Sequence, residues 1–462
     1  MASEHNNGGS PLDLNVPFLL DQNQSKLQDL EAPANHGDDV NFRAASSFSK
    51  TCFNGLNALS GVGILSTPYA VASGGWMSLI LLFAIATATF YSALLIQRCM
   101  VSDSNIKTYP DIGYQAFGKK GRLIVSVLMH VELYLVATGF LILQGDNLQT
   151  LLPSVEHFEF AGLTIGGKQG FIIIVALIIL PTVWLNNLSL LSYISATGVL
   201  ASLTIIGSVL WTGAVDGIGF QQKGKLVNWD GIPTAVSLFA FCYCAHPVFP
   251  TLYTSMQKRH HFSNVSTHFL YSIVLRYMLL GPRVIRVPFL QVMVVCFIFC
   301  TVCYASMAIL GYLMFGSDVQ SQITLNLPTN KLSSRIAIYT TLVNPISKYA
   351  LMVTPIINAT KARFSYHCNK RFLHHLIGTT VVISTMLVAL VVPFFGSLMS
   401  LVGAFLSITA SVILPCACYL KITGSYQKFN GEMVALSLII VMGVIVVIFG
   451  TYTSLVDIIG NL

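Results

Sequence analysis

The sequence predicts an all-α polytopic membrane protein, in which two inverted repeats of five spans each (5+5) are followed by an eleventh transmembrane helix. Three observations predict it. Charged residues make up 9% of the chain and hydrophobic residues 54%, whereas a soluble domain carries about 25% charge. Apolar runs long enough to cross the roughly 30 Å hydrocarbon core recur along almost the whole length. Two of those runs, the first and the sixth, are interrupted at matched positions, as expected of two halves that share an ancestral plan.

In chain order the spans are expected at 48–72, 75–97, 123–145, 170–186, 190–214, 232–254, 289–315, 336–358, 373–393, 396–420 and 433–456. Each is an apolar run of about 18 to 25 residues. The first contains Asn57-Ala58-Leu59-Ser60-Gly61-Val62-Gly63-Ile64-Leu65-Ser66-Thr67-Pro68, a composition that breaks a helix. The sixth contains Phe241-Cys242-Tyr243-Cys244-Ala245-His246-Pro247-Val248-Phe249-Pro250, where two prolines each remove a backbone donor. Irregular backbone survives at membrane depth only where protein or a polar cavity covers it. Paired breaks therefore point to a solute site between the repeats.

The +7 net charge does not imply nucleic acid, because the basic residues sit in short loops that orient spans. Lys107, Lys119, Lys120, Arg122, Lys258, Arg259, Lys361, Arg363, Lys370, Arg371, Lys421 and Lys428 fall in the even-numbered loops. The positive-inside rule then places the N-terminus in the cytosol. Residues 1–42 carry seven acidic side chains and many polar ones and read as a disordered cytosolic tail. Residues 43–421 form the ten-helix core, and 422–462 hold the eleventh helix. Seven of the ten cysteines lie in apolar runs, so no disulfide framework is expected. The spacing Cys296, Cys300, Cys303 reads as packing rather than as a metal site.

One segment departs from the pattern. Residues 265–291 are part apolar and contain Arg276, Arg283 and Arg286, which makes them an anomalous insertion between the sixth and seventh spans. Three readings stay open: an interfacial helix, a re-entrant segment, or a retained intron, since Val-Ser can be encoded by GTAAGT and the closing Gln291 by CAG.

The candidate site residues follow from the two breaks. Amides around Ser60, Gly61, Val62 and Gly63, at the start of a half-helix, suit a carboxylate. Carbonyls freed across Cys242, Tyr243, Cys244, Ala245 and His246 suit an ammonium. Asn54 and Asn57 either contact the solute or join helices. Lys348, in the eighth span, and Glu132, in the third, are ionisable residues in apolar surroundings. Each needs a partner or a task. Lys348 can stand where a sodium-coupled carrier holds its cation, or pair with carbonyls or with Glu132. His246 either lines the path or packs as a neutral ring. Asp146 ends the third span and is expected to face water. No nucleophile elbow, phosphate loop or metal spacing occurs, and the chain is not expected to be an enzyme or to need a cofactor.

The motif at 49–70 with Gly74-Gly75-Trp76 is joined by 109–118, Glu132-Leu133-Tyr134, Gly145-Asp146-Asn147, Cys244-Ala245-His246, Val248-Phe249-Pro250, 311–316 and 344–350. Together these resemble the amino acid/auxin permease family, in particular plant vacuolar amino acid transporters related to vesicular inhibitory amino acid transporters. The resemblance implies a LeuT-type fold, eleven spans, and proton-driven movement of small neutral amino acids across the vacuolar membrane. The plasma membrane is the alternative location. An auxin or other weak-acid permease, and a non-transporting amino-acid sensor, are the alternative functions. The chain departs from the family pattern in the 265–291 segment and at Asn358, where relatives usually carry a glutamate.

Overall fold

The computed structural model describes residues 51–160, 163–184, 191–257, 287–364, 370–427 and 431–461. The expected tail at 1–42 and residues 265–286 of the insertion lie outside the described residues. The last five insertion residues, 287–291, belong to a helix, where Phe289 and Leu290 are buried.

Among the described residues nine helices are long and apolar enough to cross a membrane. Two further helical segments coincide with expected spans. The first span is helical at 51–59, passes through a 3-10 turn Val62–Leu65, and resumes as Thr67–Gly74. The eighth is Leu332–Phe364, with Pro345 and Pro355 inside it. The second, fourth and fifth spans are Ser78–Ser102, Gly167–Trp184 and Leu191–Ala214. The sixth is split into Ile232–Cys242 and Phe249–Gln257 by a 3-10 turn His246–Val248. The seventh, ninth and eleventh are Val287–Phe315, Lys370–Val391 and Gly431–Asn461.

Two spans differ from their expected form. The third runs from Tyr109 to Leu151, because a preceding amphipathic segment is continuous with it across a kink at Gly118. Its start is fixed by a capping box between Thr108 and Asp111 and by Pro110 in the first turn, where the missing donor costs nothing. The tenth, Phe395–Thr423, contains two π-helical stretches, Val402–Ser407 and Thr409–Ile413. π turns carry no distinct hydrophobic period in sequence, so they went unforeseen. A two-stranded antiparallel hairpin, His157–Phe160 with Leu163–Gly166, connects the third and fourth spans.

The broken first span packs against the sixth and seventh. The eighth lies against the third and fifth, and the tenth and eleventh close the side of the sixth. This arrangement puts both interruptions inside the protein, away from lipid. The outer surface exposes Ile80, Phe83, Leu177, Leu200, Val302 and Ile448, as a lipid-facing surface requires.

Candidate functional site

The two interruptions meet. Helix 51–59 ends because Ser60 and Gly61 leave the helical path, with Gly61 extended at φ −93° and ψ −167°. A Cβ placed on Gly63 would lie 2.8 Å from Cys242 Sγ and 3.2 Å from Cys242 Cα. Only glycine permits that approach. Tyr304 of the seventh span, fully buried, directs its hydroxyl at the Leu59 carbonyl and, at 3.1 Å, at the Cys242 carbonyl. One phenol thus spans the ends of both leading half-helices.

Around the first break the polar groups are linked. Lys348 Nζ donates to the Ser60 carbonyl at 3.2 Å, and Ser60 Oγ shares a 2.6 Å hydrogen bond with Ser202 Oγ of the fifth span. Ser202 also donates to the Gly198 carbonyl at 3.1 Å, and the Asn57 carboxamide lies over Gly198. A Cβ at Gly198 would stand 3.4 Å from Lys348 Nζ, so this glycine makes room for both side chains. Asn54, one turn before Asn57, is partly exposed. The Ser60 and Gly61 amides are spent on Leu56 and Leu59 carbonyls at 2.6 and 2.9 Å. The carboxylate-binding amides expected here therefore reduce to those of Val62 and Gly63, which begin the 3-10 turn and have no partner within it. Gly61 faces open space, on a cleft that it lines with Val62, Ser202, Ile205, Thr341 and Asn344.

The second break is held from other directions. Tyr243 bonds Thr301 Oγ1 at 2.8 Å and stacks on Phe297, so its ring belongs to the core. His246 Nε2 reaches the Thr89 carbonyl at 2.9 Å and Ser92 Oγ at 2.8 Å. Because a carbonyl only accepts, Nε2 carries the hydrogen. Ser92 in turn donates to the Ser411 carbonyl in the π-helical part of the tenth span at 2.5 Å. Ala245 is buried and Cys244 partly so.

Lys348 is 3% exposed and Glu132 4%, yet they do not pair with each other. Glu132 Oε1 accepts from Ser407 at 2.7 Å, which places the carboxyl against the other π stretch of the tenth span. The ion pairs among the described residues are Arg98 with Glu432, Arg122 with Asp111, and Lys168 with Asp146. The last corrects the expectation that Asp146 faces water. Its carboxyl also accepts from Gln322 at 2.8 Å, and Gln322 accepts from Asn147 at 2.7 Å. The sequence hid Tyr304, Ser202, Gly198 and Gln322. Tyr304 alone left a signal: its hydroxyl, in the middle of an apolar run, must find a partner.

The family described as "Transmembrane amino acid transporter protein" matches residues 44–285 and 281–456. The chain is 56% identical over 418 residues to amino acid transporter AVT1I of Arabidopsis thaliana, covering 90% of this chain and 96% of that protein. It is 57% identical over 450 residues to amino acid transporter AVT1J of the same plant, covering 97% and 98%. Among solved structures, a manganese transporter of Eremococcus coleocola superposes with a TM-score of 0.52 at 12% identity, over 93% of this chain and 89% of that one. At that identity the likeness concerns the fold alone, which is of the LeuT type.

Proposed function

Since the chain belongs to the transmembrane amino acid transporter family, we propose that it is a proton-coupled secondary transporter of small neutral amino acids in the vacuolar membrane, with its N-terminus in the cytosol. The observation that carries the coupling is the contact of Lys348 Nζ with the Ser60 carbonyl, in the interruption of the first span. An ammonium on a freed carbonyl occupies a place where a carrier could otherwise hold a metal cation. Loss of its proton would take the charge out of that hydrogen bond and weaken its hold on the half-helix.

The solute's carboxylate is assigned to the Val62 and Gly63 amides, and its ammonium to the Cys242 carbonyl, beside Tyr304. Small side chains fit because the two interruptions are packed so closely. Glu132, bonded to the tenth span through Ser407, is assigned a second, supporting role in coupling. Alternating access follows if the first and sixth spans rock against the third and eighth. A pH difference supplies about 1.36 kcal/mol per unit, and each net charge moved adds about 2.3 kcal/mol per 100 mV.

The test is uptake of labelled alanine into proteoliposomes with and without an imposed pH gradient. Gradient-driven accumulation is expected from the native chain, and Lys348→Gln is expected to abolish it while sparing exchange at equal pH. Uptake insensitive to the gradient would sink proton coupling, and absence of uptake for any neutral amino acid would sink the substrate assignment.

A further inference from the structure

We propose that the kink in the third span, where Lys119 and Lys120 stand above an exposed apolar column, binds an anionic phospholipid. The segment leading into the kink carries exposed Tyr114 and Phe117, at 47% and 48% exposure. Amphipathic rings of this kind favour the membrane interface. At Gly118 the backbone turns with φ +65°, and an added Cβ would meet nothing within 4 Å. The glycine is thus required by the turn itself, not by packing.

Just past the turn, Lys119 and Lys120 are both exposed. One helical turn on, and therefore on the same face, stand Leu123 and Ile124, followed by Val127 and Val131. All four are exposed. The result is a two-part surface, cationic at its end and apolar along its length, which matches a charged headgroup continued by an acyl chain.

The charges are also unspent. Asp111, the nearest carboxylate in this segment, is taken by Arg122 at 2.7 Å and by the capping hydrogen bonds at Thr108. Asp103 accepts from the Asn105 amide at 2.8 Å. By contrast, Arg98 is engaged with Glu432, Lys168 with Asp146, and Lys421 over the Tyr426 ring at 5.0 Å. Lys119 and Lys120 form no ion pair among the described residues. Exposed Lys107, ahead of the same segment, adds to the local positive potential. A headgroup of net negative charge supplies what these two lysines lack, and zwitterionic phosphatidylcholine does so less well because its ammonium cancels its phosphate.

The experiment is native mass spectrometry of the full-length protein released from nanodiscs of phosphatidylcholine with one fifth phosphatidylserine or phosphatidylglycerol. Native protein is expected to retain either anionic lipid in preference to phosphatidylcholine. A lysine at an anionic surface contributes about fivefold in affinity, so K119Q/K120Q should lower that preference about 25-fold. The control Lys223→Gln, in the loop after the fifth span, should leave it unchanged. Thermal unfolding in phosphatidylcholine alone should be the same for all three proteins. Equal anionic retention by native protein and the double variant overturns the proposal, as does displacement of the lipid by inorganic phosphate at equal concentration.

Discussion

Gly63 shows how much one hydrogen atom in place of a side chain can decide. Its Cα lies against Cys242, and any Cβ there would intrude on the backbone of the sixth span. Overpacking of this kind costs about 1–3 kcal/mol. Gly63→Val is therefore expected to lower thermal stability and abolish uptake, whereas Gly61→Ala, built into open space, should unfold at the native temperature. Comparing the two melting curves and uptake rates checks this. The glycines and Asn57 were legible because they break a local helical pattern. Gly198 and Ser202 were not, since their importance comes from Asn57, Ser60 and Lys348, which are remote in sequence. Tyr243 was legible as part of the break, but its hydroxyl turns to Thr301, an orientation that only packing decides.

Element boundaries were readable wherever hydrophobic length alone set them, and all eleven expected spans have a helical counterpart. What escaped was internal to an element or between elements. The kink at Gly118 joined residues 109–117 to the third span, and the π stretches of the tenth span give no periodic trace. The connection between the seventh and eighth spans carries Gln322, whose amide grips Asp146 and Asn147 at one end of the third span. Lys168 binds the same Asp146 and donates to the Pro393 carbonyl at 2.6 Å. This cluster ties four separate parts of the chain together. Gln322→Ala removes two buried hydrogen bonds, one to a carboxylate, worth about 2–4 kcal/mol together. Amides of the neighbouring turn Ile323–Asn326 should then exchange with deuterium faster than in the native protein, with protection elsewhere unchanged. Unaltered exchange there would show that Gln322 does not secure this connection.

At the scale of the molecule, composition and the paired breaks were sufficient to place the chain among polytopic membrane proteins whose first and sixth spans are interrupted side by side in the interior. Family membership supplied the class of solute. The segment 265–291 is the remaining irregularity. Its last residues begin the seventh span, where Phe289 packs edge-to-face on Tyr253 with centroids 5.4 Å apart. A chain joining Asn264 to Val292 would lose Phe289 and Leu290 from the core, and loss of a buried aromatic alone costs about 3–5 kcal/mol. The shortened chain is expected to unfold at a lower temperature than the full one. Equal stability, together with a shorter transcript, is the outcome that favours a retained intron.

The Tyr304 bridge has an arithmetic consequence. A phenol owns a single hydrogen, and here that hydrogen faces the carbonyls of both Leu59 and Cys242; Leu59 already accepts the Gly61 amide, so it is the Cys242 carbonyl whose supply depends on where the hydroxyl points. On the proposed assignment a protonated amine brings three hydrogens and feeds the Cys242 carbonyl when the phenol turns to Leu59. Turning one hydroxyl therefore decides which half of the molecule the phenol holds.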